Sequence, residues 1–103
     1  MEGEEEERLV QAAQYDKLDV LQAFHLGKGV AAHGSKSHAL THDTKDWAGD
    51  TLLSIACWHG HRAVCEFLMD LGADVNSRNS NLNTPLHRAA YKGDLDIVSL
   101  VSE

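Results

Sequence analysis

Proline occurs once in the 103 residues of this chain, and against 43% hydrophobic and 24% charged residues that scarcity excludes a disordered chain and leaves a mostly helical globular one. The length suits one small domain. No stretch approaches the roughly 18 consecutive apolar residues of a bilayer span, so no membrane segment is expected. The start is acidic where a secretory signal would be basic and then apolar. Lysine and arginine number 9 against 16 acidic residues, and the net charge of -7 repels phosphate backbones, which disfavours nucleic acid. Cysteine occurs only at Cys57 and Cys65. If both lie on one helical hairpin, the pattern does not favour disulfide geometry, so they read as reduced thiols of a cytoplasmic or nuclear protein. Also missing are a glycine-rich phosphate loop, carboxylates paired around a pocket and a cysteine with an activating histidine on its face. The reading is therefore of a protein that is not an enzyme and needs no cofactor.

What is present is a period. A shift of 33 positions lays Thr51 on Thr84, Leu53 on Leu86, Ala56 on Ala89, Gly60 on Gly93 and Val64 on Ile97. The same shift lays Trp58 on Tyr91 and Cys65 on Val98, so apolar character persists where identity does not. Within a unit the apolar positions predict two short helices, Leu52 to Trp58 and Ala63 to Leu71, joined by a turn at His59, Gly60 and His61. Isolated helices below about 12 residues are marginal in water, so the hairpins must stack to bury their apolar faces.

The stretches "DTLLSIACWHGHRAVCEFLMDLGADVNSRNS" and "NTPLHRAAYKGDLDIVSLV" carry a Thr-Pro-Leu-His-x-Ala element at Thr84 to Ala89, a Gly-Ala-Asp-Val-Asn element at Gly72 to Asn76, and the interhelical glycines. In these features the chain resembles the ankyrin-repeat family. The resemblance implies an all-α solenoid of stacked helix-turn-helix units spanning residues 1–103. A diverged copy of the repeat lies 77 positions before the last one, eleven more than two periods, with Asp16 where a glycine should be. Its glutamates suit a water-facing cap and complement a helix N-terminus. The expected organisation is a capping repeat at 4–29, an inserted loop at 30–45, a second repeat at 46–78 and a truncated third at 79–103. The insertion, "AAHGSKSHALTHDTK", is small, polar and without helical periodicity, and reads as a solvated loop. The third unit would leave apolar residues outward around Ile97, Val98 and Val101, so either the chain is a fragment of a longer array or this face packs on a partner; the state expected is a monomer or such a fragment.

Family members, as the resemblance implies, bind protein partners through the tips of the inter-repeat turns and the concave inner-helix face. Transferred to this chain, those positions are Trp47, Asp50, Trp58, His59, Leu82, Asn83, Tyr91 and Lys92. Tryptophan and tyrosine are enriched in binding hot spots, although Trp58 and Tyr91 could equally stack on each other. Leu82 falls where the preceding repeat has Gly49; either Asn81 takes the left-handed conformation in its place or Leu82 is an exposed apolar contact. The function expected is a non-enzymatic adaptor or scaffold binding a protein partner, with an acidic field favouring one that has basic patches. The resemblance assigns His87 the tie between repeats, which Ser54 would make more weakly. The competing reading is a metal- or pH-responsive module using His33, His38 and His42 in the insertion.

Overall fold

The computed structural model of the chain describes residues 2–26, 40, 41 and 44–102. Among them are six helices: α1 (Glu2–Gln14), α2 (Leu18–Leu26), α3 (Leu52–His59), α4 (Arg62–Asp70), α5 (Pro85–Lys92) and α6 (Leu95–Ser102). The first helices α3 and α5 start on the same local chemistry. Thr51, in extended conformation, accepts the Ser54 N–H at its hydroxyl, 3.3 Å away. Thr84 does the same for His87, whose Nδ1 accepts the Thr84 N–H at 3.0 Å, and Pro85 follows at the first helical position. The turn after each first helix is also shared. Lys17, His61 and Asp94 donate their N–H groups to the carbonyls of Ala12, Ala56 and Ala89. That closure needs a left-handed residue, and the three are Asp16 (φ 59°), Gly60 (φ 76°) and Gly93 (φ 74°). Aspartate is among the few side chains that visit this region readily, which is how the first repeat dispenses with a glycine.

Stacking follows from the shortness of these helices. The first helices α1, α3 and α5 pack side by side in one layer, and α2, α4 and α6 form a second layer behind them. Leu21, Leu52, Leu53, Val64, Leu68 and Ile97 fill the space between the layers, while Ala13, Ala56 and Ala89 let the first helices approach. Ile97 and Val101, expected outward, are both core residues on the inner side of α6. Their i, i+4 spacing puts them on one helix face, and that face meets α4 and α5. Val98 is half-buried, and the apolar residue of α6 that faces solvent is Leu95, 79% exposed. The insertion also departs from expectation: Leu40 is fully buried in the main core and Thr41 and Thr44 are buried beside it. The described end of that segment is therefore packed against the repeats.

The turns that precede α3 and α5 repeat bond for bond. Asp46 Oδ1 accepts the N–H groups of Ala48 and Asp50 at 2.9 and 3.0 Å. Asn79 Oδ1 accepts those of Asn81 and Asn83 at 2.8 and 3.0 Å. Gly49 takes φ 84°, and Leu82, its counterpart, takes φ 66°. The turn thus keeps its shape and the leucine carries the strain itself, without Asn81 adopting the left-handed conformation. A left-handed leucine costs about 1–2 kcal/mol, and at 65% exposed it recovers little by packing. Leu82→Gly should raise the unfolding free energy by about 1 kcal/mol, less glycine's own entropic cost, read from urea midpoints at unchanged slope. A loss of stability would mean that the side chain contributes packing that outweighs the strain.

Candidate functional site

Between the two turn tips and the first helices α3 and α5 lies a cavity of about 400 Å³ lined by Trp47, Ile55, Trp58, His59, Asn81 and Arg88, among others. The tips form one rim because the Ser80 N–H donates to the Ala48 carbonyl at 3.0 Å. A side chain at Gly49 would come within 3.1 Å of the Ser80 nitrogen, so the glycine is what permits this approach. Trp47 stands on the rim, 96% exposed.

Asp50, expected on the surface, is instead buried at 5% exposure. Its Oδ1 accepts from Asn79 Nδ2 at 2.9 Å, and its carboxylate forms an ion pair with the Arg88 guanidinium. A carboxylate taken out of water needs donors, and the next repeat supplies both of them. This is the inter-repeat tie that the resemblance placed on His87. His87 itself is exposed, and its ring closes the capping box with Thr84 inside its own repeat. Asn83 is half-buried, with its backbone closing the turn on Asn79.

Arg88, Tyr91 and Lys92 share one face of α5 at i, i+3 and i+4, and that face lies on Trp58. The Trp58 and Tyr91 rings are 5.2 Å apart between centroids, tilted by 33°. The Arg88 guanidinium carbon and the Lys92 ammonium lie 5.0 and 4.8 Å from the Trp58 ring centroid. The stacking of Trp58 with Tyr91 is therefore real, yet Tyr91 remains 81% exposed, so the pair both packs and presents surface.

Of the eight positions expected at the site, Trp47, Asp50, Trp58 and His59 line the cavity. Tyr91 and Lys92 join it through Trp58. Leu82 and Asn83 belong to the neighbouring tip without lining it. Arg88, Ile55 and Gln14 were not anticipated. The i, i+3, i+4 spacing of Arg88 with Tyr91 and Lys92 was the available signal for the first.

The residues that suggest chemistry resolve differently. Cys57 and Cys65 are buried free thiols with sulfurs 3.6 Å apart, closer than the hairpin pattern suggested. The hydrogen bond to Cys65, and then burial, push the Cys57 thiol up, so it stays protonated and is no nucleophile. His59 and His61 stack outside the core at 6.0 Å, and His61 Nε2 donates to the Gln14 carbonyl at 2.6 Å, joining the first repeat to the second. Among the described residues no three His, Cys, Asp or Glu side chains are grouped to hold a metal. His33, His38 and His42 lie outside the described residues. No helix among the described residues is long and apolar enough to cross a membrane.

Asp50→Ala leaves Arg88 facing a vacated site with only partial access to water and should cost about 3 kcal/mol in urea unfolding; a cost below about 1 kcal/mol would show the pair to be incidental. His59 is lowered from its ordinary value of 6.5 by desolvation first, then by His61 and Lys92. Between pH 7.5 and 5.5 the unfolded chain then gains a proton at this residue that the folded chain resists, so stability falls as pH falls. His59→Gln should make the pH 7.5 to 5.5 drop in the urea midpoint smaller than in the unsubstituted chain, and an equal or larger drop would contradict the assignment.

Comparison with known proteins agrees with this fold. The family described as ankyrin repeats, in 3 copies, matches residues 9–103. The mouse protein fem-1 homolog A-like is 43% identical over 53 residues, which is 52% of this chain and 8% of that protein. A putative ankyrin repeat protein of fowlpox virus, FPV233, is 38% identical over 55 residues, 52% of this chain and 11% of its own. Human diacylglycerol kinase iota is 39% identical over 51 residues, 50% of this chain and 5% of the kinase. The chain thus spans about a tenth or less of the length of these relatives. Repeats of this kind generally mediate protein–protein interaction. With its three matched repeats, its two helical layers and its repeated turns, this chain belongs to the ankyrin-repeat family.

Proposed function

We propose that the chain is a non-enzymatic protein-interaction module whose partner docks on the cavity between the turn tips and the first helices α3 and α5. The observation that carries this reading is Trp47, 96% exposed on a turn fixed by three side-chain and cross-tip hydrogen bonds, at Ala48 and Asp50 to Asp46 and at Ser80 to Ala48. Leaving a tryptophan in water forfeits much burial energy, and a rigid mount removes most of the entropy cost of using it as an anchor. Trp58 and Tyr91 extend the same surface. The enzyme reading finds little support in the groove, since Asp50 and Arg88 neutralise each other and the Cys57 thiol is held protonated in the core.

The net charge of -7 supports faster encounter with a partner that carries basic patches, through the long-range field. What the groove itself prefers is a short-range matter. A cytoplasmic or nuclear location is proposed with this reading, on cysteines that the core accommodates as thiols.

Trp47→Ala should leave the thermal midpoint within about a degree or two, because the side chain packs on little. A partner recovered by the unsubstituted chain from a cell lysate and identified by mass spectrometry should bind this variant about thirtyfold more weakly. If affinity is unchanged while the fold is intact, the groove is not where the partner sits.

A further inference from the structure

The carboxylates beside the groove are already engaged. Asp46 Oδ1 accepts from two backbone N–H groups, Asp50 is held by Asn79 and Arg88, and Asp94 accepts the Ile97 N–H. The cations are placed differently. Lys92 rests its ammonium on the Trp58 ring at 4.8 Å and, among the described residues, makes no ion pair. Arg88 lies 5.0 Å from the same ring centroid. The indole that would otherwise attract a partner's lysine or arginine is therefore already faced by two cationic groups, and although Asp50 offsets the charge of Arg88, an incoming cation would meet like charge at Lys92. An anion would find an ammonium with an open coordination sphere.

The rim supplies the other half of the recognition. Leu82 holds φ 66° while 65% exposed, so packing within the fold returns little of the cost of that conformation. Backbone strain of this kind at a surface is a sign of a contact outside the fold. Leu82 stands on the tip that Ser80 bonds to the Trp47 turn, so two large apolar side chains crown adjacent tips. From that rim to Lys92 runs the length of α5, eight residues or about 12 Å at 1.5 Å each, which an extended peptide crosses in about four residues.

We propose that the groove takes an extended peptide segment of another protein, in which a leucine, isoleucine or phenylalanine is followed three or four residues later by aspartate or glutamate. The apolar side chain packs against Trp47 and Leu82 on the rim. The carboxylate accepts a charge-assisted hydrogen bond from the Lys92 ammonium. The proposal deepens the protein-interaction reading above and rests on it. The acidic run Glu4 to Glu7 does not oppose it, because α1 is two first-helix spacings from α5, about 20 Å, against a screening length of about 8 Å at physiological salt.

Panning a phage library of random dodecapeptides against the full chain, with thermal unfolding as the check on folding, tests it. The expected selection is apolar residues followed by Asp or Glu at the stated spacing, with binding that weakens as salt is raised. A synthetic peptide of the selected sequence should lose at least tenfold in affinity on Lys92→Glu, and severalfold on Leu82→Gly. Lys92→Met, which keeps the stem and removes the charge, stands in should Lys92→Glu fail to fold. Selection of Lys- or Arg-rich peptides, or an acidic peptide indifferent to Lys92, overturns the proposal and leaves the protein-interaction reading intact. If the folded chain enriches no sequence at all, the extended-peptide proposal falls, and the protein-interaction reading is decided separately by the Trp47→Ala binding measurement.

Discussion

One buried carboxylate organises the junction on which the groove depends. Asp50 belongs to the second repeat, yet the groups that satisfy it, Asn79 and Arg88, belong to the third. A carboxylate withdrawn from water would be costly alone, so the two repeats must dock in the register that delivers both donors. The consequences spread from there. Asn79 uses its amide nitrogen for Asp50 and its oxygen for the turn at 79–83, so the tie and the turn tip are set by the same side chain. Arg88, fixed at one end by Asp50, presents its guanidinium to Trp58, which in turn lies on Tyr91. The floor and the rim of the groove are thus coupled through a single ion pair.

Stability and surface display draw on different parts of each repeat. Buried alanines and the left-handed closing residues Asp16, Gly60 and Gly93 fix how first and second helices meet, and there the three copies behave alike. The tips are alike in backbone and unlike in side chain. Trp47 corresponds to Ser80 and Gly49 to Leu82, with the hydrogen bonds unchanged. A turn stitched by its own Asp or Asn can therefore display almost any side chain beside it, and here it displays large apolar ones at a cost in strain. The fold is indifferent to what the tips carry, which is the condition for a scaffold on which binding can vary.

Much of this was legible in the sequence, and the reasons for the exceptions are physical. The 33-residue period fixes the layers because helices this short have only one way to hide their apolar faces. Trp47 and Trp58 could be placed on one surface because tip and first-helix positions recur with the period. Asp50 was misread because a charged residue in a turn normally faces water, and nothing local announces that its donors lie 29 and 38 residues downstream. Leu40 was missed for the opposite reason: a single apolar residue in a polar segment has no periodicity to betray its burial. Ile97 and Val101 were turned outward by treating the last unit as an open end, when their i, i+4 spacing already matched the inward face of α6.

The difference between the charge of the chain and the charge of the groove follows from the same architecture. In a solenoid each repeat meets only its neighbours, so a run of glutamates at one end lies outside the screening length of the other. Net charge then governs how often partners arrive, while the side chains within a few ångströms govern which segment stays. At the groove those side chains are two carboxylates already bonded within the protein, one arginine committed to Asp50, and one lysine whose ammonium meets only an aromatic face. The contact proposed for an acidic segment is therefore confined to the Lys92 end of α5, since Asp46 keeps its negative charge at the rim however many N–H groups it accepts.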